Sequence, residues 1–308
     1  MKKRRKTNIF DRLFKQLMHL SRKAVIRFIN GLFGVNHPLN SSVSYPNTEY
    51  VTPDLRRFIS DITILIGGCK YQIEAQINND LNMAIRVFRY GFEESLRSKT
   101  EKDGEITLSF PQVRVIYWET TRKTQDVLTL NLKFPDGKIH KYQVKTFKFL
   151  DYSIAELEQR KMSILLPFYV LKLRKQVKAA KTGKRRQELA KEMEILIDQL
   201  VHAAKRSANT GVLDNDDSAD VIKQMNHLLH EIYQDYNEFK EVSEMAQKQE
   251  LRWSEQIKLK ARRQERRKNQ QEYYQNQLAS ARNMKADGLP VDKIITYTGL
   301  TPQDIENL

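Results

Sequence analysis

The stretch Phe58-Ile-Ser-Asp61-Ile-Thr-Ile-Leu-Ile66-Gly67-Gly68-Cys69-Lys-Tyr-Gln-Ile-Glu74-Ala-Gln76 decides the fold. Two β-rich runs flank a Gly-Gly pair, which reads as a hairpin. In a period of 2, Asp61 and Thr63 share one face while Ile62, Ile64 and Ile66 fill the other. On the second strand Gln72, Glu74 and Gln76 share a face opposite Tyr71, Ile73 and Ala75. The hairpin can therefore bring one carboxylate from each strand together, with an amide two residues further on. That is the minimum needed to hold a hard divalent cation over a phosphate. In this reading Asp61 and Glu74 ligate Mg2+, or Mn2+ or Ca2+ in its place, and the Ala75 carbonyl supplies a further oxygen. Gln76 does not titrate near neutral pH, so it would orient water or phosphate by hydrogen bonding. The plainer alternative is that strand-end acids cap turns or face solvent.

Composition bears on the partner. The 308 residues suffice for one or two domains. Only 40% are hydrophobic and 30% are charged, so part of the chain is strongly solvated. A net charge of +15 favours a polyanion, nucleic acid first and an anionic membrane surface second. Cys69 is the sole cysteine, which excludes an intramolecular disulfide and a cysteine zinc site and fits a reducing compartment. The basic start Met1-Lys-Lys-Arg-Arg-Lys6 leads into the amphipathic Phe10–Met18 rather than a continuous apolar run. The expectation is a soluble, cytoplasmic protein with no secretion signal and no membrane span.

Working outward from the hairpin, apolar spacing predicts one helix over about 11–29, stopped by Gly31 and Gly34. Asn79-Asp80 predicts the N-cap of a helix through Met83, Val87 and Phe92. Val113–Trp118 reads as a buried strand. Leu128–Phe134 and Ile139–Phe149 read as strands around the Pro135-Asp-Gly-Lys138 turn. Ser153-Ile-Ala-Glu156 is a capping box opening a helix that carries Ile164–Leu171, kinked at Pro167. From about Lys175 the pattern becomes long charged helices, broken near Asn209–Asp217. The predicted class is α/β with a mostly α-helical C-terminal extension. The expected segments are a basic tail at 1–8, a core at 9–150, a charged helical region at 151–280 and a small helical unit at 281–308.

Several stretches carry a resemblance. An Asp in one strand, a tight turn and Glu-x-Lys in the next, flanked by helices, is the PD-(D/E)XK nuclease pattern. Phe28-Ile-Asn-Gly-Leu-Phe-Gly34, Asn47-Thr-Glu49 and Arg56–Asp61 narrow it, as do Ile73-Glu-Ala-Gln-Ile-Asn-Asn-Asp80 and Met83–Gly91. Val115-Ile-Tyr117, Pro135-Asp-Gly137, Asp151-Tyr-Ser153, Leu165–Tyr169, Ala281-Arg-Asn-Met284, Gly288 and Thr298-Gly-Leu300 extend it. Together they resemble the bacterial PD-(D/E)XK family transposases, the recombination-promoting nuclease group, in which Gln commonly replaces the Lys, as in Glu74-Ala-Gln76. The resemblance implies a restriction-endonuclease-like core and metal-dependent DNA endonuclease activity linked to recombination or transposition. It places Asp61, Glu74 and Gln76 on the active-site pattern. Asp11, in Phe10-Asp-Arg-Leu-Phe-Lys15, matches an N-terminal Asp-x-x-Phe-Lys-like element and would add an acid; its other reading is the N-cap of the first helix. Ser60 stands where the pattern has Pro.

Other candidates surround this centre. Arg86 and Tyr90, four apart on one helix face, would contact phosphate or pair with Glu74; otherwise they are a solvated Arg and a packed Tyr. The run carrying Lys258, Lys260, Arg262, Arg263, Arg266, Arg267 and Lys268, between Trp253 and Tyr273-Tyr274, would neutralise DNA phosphates or form a solvated helix. The segment around Thr298-Gly-Leu300 has helix-turn-helix spacing, but with Asp304 and Glu306 beside Gln303 it suits packing or homo-oligomer contact better than base reading. Asp214-Asn-Asp-Asp217 lacks the Gly and Glu of a calcium loop. The rival to an endonuclease is a catalytically decayed nuclease-fold protein acting as a basic DNA-binding or assembly module.

Overall fold

Gly67 and Gly68 take φ of +54° and +84°, and Ile66 pairs directly with Cys69. A two-residue loop with both central residues at positive φ is a type I′ turn, which suits glycine and matches strand twist. A computed structural model describes residues 2–46, 49–51, 57–59, 62–77, 79–80 and 82–308, and of 2–8, 49–51 and 57–59 the backbone alone.

The hairpin sits within a six-stranded mixed sheet. The strands β1 (Val43–Ser44), β4 (Ile62–Ile66), β5 (Cys69–Gln76), β8 (Gln112–Tyr117), β10 (Ile139–Lys148) and β9 (Val127–Lys133) lie side by side in that order. The β1–β4, β4–β5 and β10–β9 pairs are antiparallel, whereas β5–β8 and β8–β10 are parallel. Short two-stranded ribbons, β2 (Glu49–Val51) with β3 (Arg57–Ile59) and β6 (Thr100–Lys102) with β7 (Glu105–Thr107), stand outside the sheet.

A parallel neighbour requires a crossover, and the helix α3 (Met83–Arg97) provides it between β5 and β8. Its Met83, Ala84 and Val87 pack with Val113, Val115, Tyr117, Leu128 and Val144 on one face of the sheet. Two further helices, α1 (Lys2–Leu17) and α2 (Arg22–Phe33), supply aromatic side chains to the other face. Phe14 meets Trp118 at 5.4 Å and Phe28 at 6.3 Å, and Phe33 meets Tyr71 at 4.7 Å.

The single helix expected over 11–29 is thus two. Ser21 breaks it: its hydroxyl caps Ala24 N (3.3 Å), while its own N and Oγ donate to Asp217 at 2.7 and 2.5 Å. The carboxylate of a residue 196 positions away holds Ser21 outside helical geometry. The basic segment 2–8, expected as a tail, is helical backbone continuous with α1.

The capping box at Ser153 and Glu156 forms as expected and opens α4 (Ile154–Gln159). That helix does not carry Ile164–Leu171. It stops at Arg160, Lys161 takes φ +58°, and Ser163–Leu173 continues as a 3-10 segment with Pro167 inside it. Every residue of that segment except Lys172 is buried. Phe168 stacks on Trp118 at 3.7 Å, Ser163 bonds Ser207 at 2.7 Å, and Val170 O accepts the Tyr233 hydroxyl at 2.7 Å.

The helices that follow are α5 (Arg174–Ala179), α6 (Gly183–Asn209), α7 (Asn215–Tyr233) and α8 (Lys240–Ala286), then α9 (Val291–Thr298) and α10 (Pro302–Glu306). Asp214 caps α7 through the Asp217 amide at 2.7 Å, a capping role in place of a calcium loop. Contacts divide the chain into two units, 1–250 and 251–308. Within the first unit, the 163–173 segment packs on the sheet through Phe168 and Trp118. In the second unit Ala281, Ile294, Leu300 and Ile305 form a small core of their own. Among the described residues, no helix is long and apolar enough to cross a membrane.

Candidate active site

Parity places the polar side chains of β5 under α3. Gln72 and Glu74 lie on the face that carries Val113 and Val115 in the neighbouring strand, and α3 covers that face. Thr63, Gln72 and Glu74 are 1%, 0% and 0% exposed. A buried carboxylate needs compensation. Gln72 Nε2 donates to Glu74 Oε1 at 3.4 Å, and Arg86 Nη2 lies 3.7 Å from Glu74 Oε2. Arg86 starts from the first turn of α3, where a long side chain pointing back toward the helix N-terminus meets the end of β5. It also binds Asp80 Oδ2 through Nη1 at 3.3 Å.

Asp80 does not act as the cap of α3. Asn82 occupies the N-cap position, and Asp80 instead accepts the Asn82 amide at 2.9 Å. Tyr117 stands opposite Gln76 across the β5–β8 pair. Burial first, and then the charge of Asp80, push its phenol above the ordinary value, against the pull of Arg86. Glu74, Arg86, Asp80, Tyr117 and Gln72 therefore form one polar group under the start of α3, with the half-buried Gln76 at its edge.

Of the expected site residues, the structure brings Glu74, Gln76 and Arg86 to this group. Tyr90, one turn further along α3, is buried. Asp61 lies outside the described residues; it precedes Ile62, which pairs with Ile73, the residue before Glu74. Gln76 O accepts the Trp118 amide at 2.8 Å. Carbonyls alternate along a strand, so that of Ala75 points to the β4 side. Asp11 is not the N-cap of α1, which starts at Lys2. It sits inside the helix and pairs with Lys15 at 3.2 Å.

Carboxylate and carbonyl oxygens suit a hard divalent ion in kind. In number they fall short: among the described residues, no group of three or more His, Cys, Asp or Glu comes together to hold a metal. Sequence reasoning missed Asp80 and Tyr117 as members of the group, and it placed Gln72 on the face of Glu74 without giving it a role. Asp80 looked like a cap, and the strand pairing that puts Tyr117 beside Gln76 is set by a crossover of 35 residues between β5 and β8.

Two more buried acids are tied elsewhere. Lys70 and Arg97 reach Glu94 at 2.5 and 3.6 Å. Arg174 Nε and Lys175 Nζ reach Glu119 at 2.7 and 3.7 Å.

In the second unit, Lys258, Lys260, Arg262, Arg263, Arg266, Arg267 and Lys268 are all exposed on α8. A 3.6-residue period spreads them around the helix rather than along one stripe. Lys260 lies 5.3 Å over the Trp253 ring, and Lys268 pairs with Glu272 at 3.7 Å. Tyr274 donates to Asp304 at 2.8 Å, which ties α10 to α8 and leaves Gln303 exposed. No family model matches the chain, and neither does any curated protein or solved structure.

Proposed function

We propose that the chain is a metal-dependent DNA endonuclease that hydrolyses phosphodiester bonds, with a restriction-endonuclease-like core related to the recombination-promoting nuclease group. The observation that carries this reading is a wholly buried carboxylate, Glu74, at the end of a strand, beside an Arg and a Gln that face the same polar group. Ile62 pairs with Ile73, and in sequence Asp61 precedes the first while Glu74 follows the second. Glu74, the Ala75 carbonyl and Asp61 would hold the ion. A bound Mg2+ would polarise the phosphate and lower the pKa of its water. Gln76 carries no charge to lose, so its part is to orient the water or a phosphate oxygen. Arg86 shields Glu74 and, with Asp80 as its other partner, is held where it can meet a phosphate.

The test is plasmid nicking by the full chain with Mg2+, Mn2+ or Ca2+. Cleavage is expected to fall at least about 100-fold in Asp61→Ala, Glu74→Gln and Gln76→Ala, with circular dichroism unchanged. Cleavage that persists in both acid variants would sink the assignment.

A second reading rests on a separate observation, the seven exposed cations of α8: a DNA-binding module whose nuclease centre has decayed. It predicts DNA binding without metal-dependent cleavage. The slope of log K against log salt would then fall by up to about 0.9 for each cation neutralised.

A further inference from the structure

On the α2 face of the sheet, away from Glu74, a cavity of about 410 Å³ opens between α2, the loop after it and the turn that ends α4. Its charged and polar lining comes from Arg27, Asn30, Asn36, His37, Arg160 and Lys161, with no carboxylate among the described residues that line it. Three basic residues, Arg27, Arg160 and Lys161, line this concave surface.

The lining is built, not incidental. Asn30 and His37 exchange two hydrogen bonds, Nδ2 to the His37 carbonyl at 3.0 Å and the His37 amide to Oδ1 at 2.9 Å. The His37 ring is pinned by the Tyr71 hydroxyl at 2.5 Å. Arg27 is steadied by the Val212 carbonyl at 3.0 Å, and Arg160 lies 4.8 Å over the Tyr152 ring. Lys161 is the least expected member. The bonds Met162 N to Leu157 O (2.8 Å) and Lys161 N to Glu158 O (2.9 Å) make the end of α4 a Schellman turn. Its left-handed position ordinarily takes glycine. A lysine at φ +58° there is strained, and strain of this kind gathers at ligand sites. Gly31 makes the fit close at one edge of the cavity: a Cβ on it would strike the Arg160 carbonyl and Met162, so α2 touches the turn there.

We propose that this cavity binds phosphate, with arginine forks and a lysine charge meeting the oxygens and the remaining volume taking a sugar or base. The ligand is a nucleotide-sized phosphate ester, drawn either from a free nucleotide or from a nucleotide within a nucleic-acid chain. The site does not depend on the nuclease reading, because Glu74 lies under α3 on the opposite face of the sheet.

Titration calorimetry of the full chain in EDTA separates the sources. The probes are deoxyadenosine 5′-monophosphate, the dinucleotide d(ApA) with only an internal phosphodiester, and uncharged deoxyadenosine. At least one phosphate probe is expected to bind saturably and deoxyadenosine not to bind. Binding of the monophosphate alone identifies a free nucleotide, and binding of d(ApA) identifies a chain. Arg160→Gln and Lys161→Gly are each expected to weaken that binding about 10-fold or more. Lys161→Gly should do so with thermal stability equal or improved, since glycine relieves the strain. The site is refuted if neither phosphate probe binds, if deoxyadenosine binds as well as they do, or if both variants bind like the wild type.

Discussion

Gly31→Ala sets two known effects against each other. Gly31 lies inside α2, where alanine favours the helix by about 1 kcal/mol. Its new Cβ, however, would lie 2.6 Å from Met162 Cγ and closer still to the Arg160 carbonyl. Met162 can swing its thioether aside, but the carbonyl belongs to a hydrogen-bonded turn and moves only with the backbone. Overpacking costs about 1–3 kcal/mol, and a backbone obstacle belongs at the upper end. Subtracting the helix gain leaves a net loss of about 2 kcal/mol, or a Tm lower by about 4–8 °C for a unit of this size. Urea unfolding followed by Trp118 fluorescence in a Trp253→Phe background reads this unit directly. A Gly31→Ala protein as stable as its parent, with an unchanged m-value, would refute the close approach of α2 to the turn.

Glu119→Ala should destabilise the first unit by about 3–5 kcal/mol, because Arg174, only 11% exposed, keeps its charge without a carboxylate. Adding Arg174→Met should recover much of that loss in urea titrations; strictly additive losses would show the pair to be uncoupled. Asp217 supplies a pH dependence. Burial holds its carboxyl above the ordinary 3.8, outweighing the hydrogen bonds from Ser21. The folded state therefore keeps this proton more tightly than the unfolded chain. The stability it contributes is complete below 3.8 and lost as pH rises through the raised folded value. The unfolding free energy of the wild type relative to Asp217→Asn should accordingly fall as the pH rises above 3.8, and a flat or rising difference would contradict this.

What the sequence disclosed was local. Gly67-Gly68 between alternating runs announces its turn, Pro135–Lys138 does the same for β9 and β10, and Ser153 with Glu156 writes its own cap. Period 2 put Glu74 and Gln76 on one face, and helical spacing offered Arg86 as a partner. Longer-range effects were hidden. Ser21 is a good N-cap residue, but the apolar spacing runs past it, and the Asp217 carboxylate that holds it is far away in sequence. The run Ser163–Leu173 is apolar on all sides, so its pattern could not separate a 3-10 segment from a kinked α-helix. Asp80 and Tyr117 joined the site through tertiary placement alone, and Asp61, the first residue singled out, lies outside the described residues.

The buried 163–173 segment also sets a timetable. It stacks on Trp118 at the end of β8 and is closed over by Ser207 and Tyr233. During synthesis the last sheet strand, ending at Lys148, is complete about 85 residues before Tyr233 is added, some 4–17 s at about 5–20 residues per second. Through that interval the aromatic back of the sheet is covered by α1 and α2 but not yet by the closed 163–173 segment. A fragment ending near residue 150 would lack Phe168 over Trp118 and is expected to be less stable and more prone to aggregate than the whole unit. Commitment to the fold comes late, when the ribosome has delivered α7.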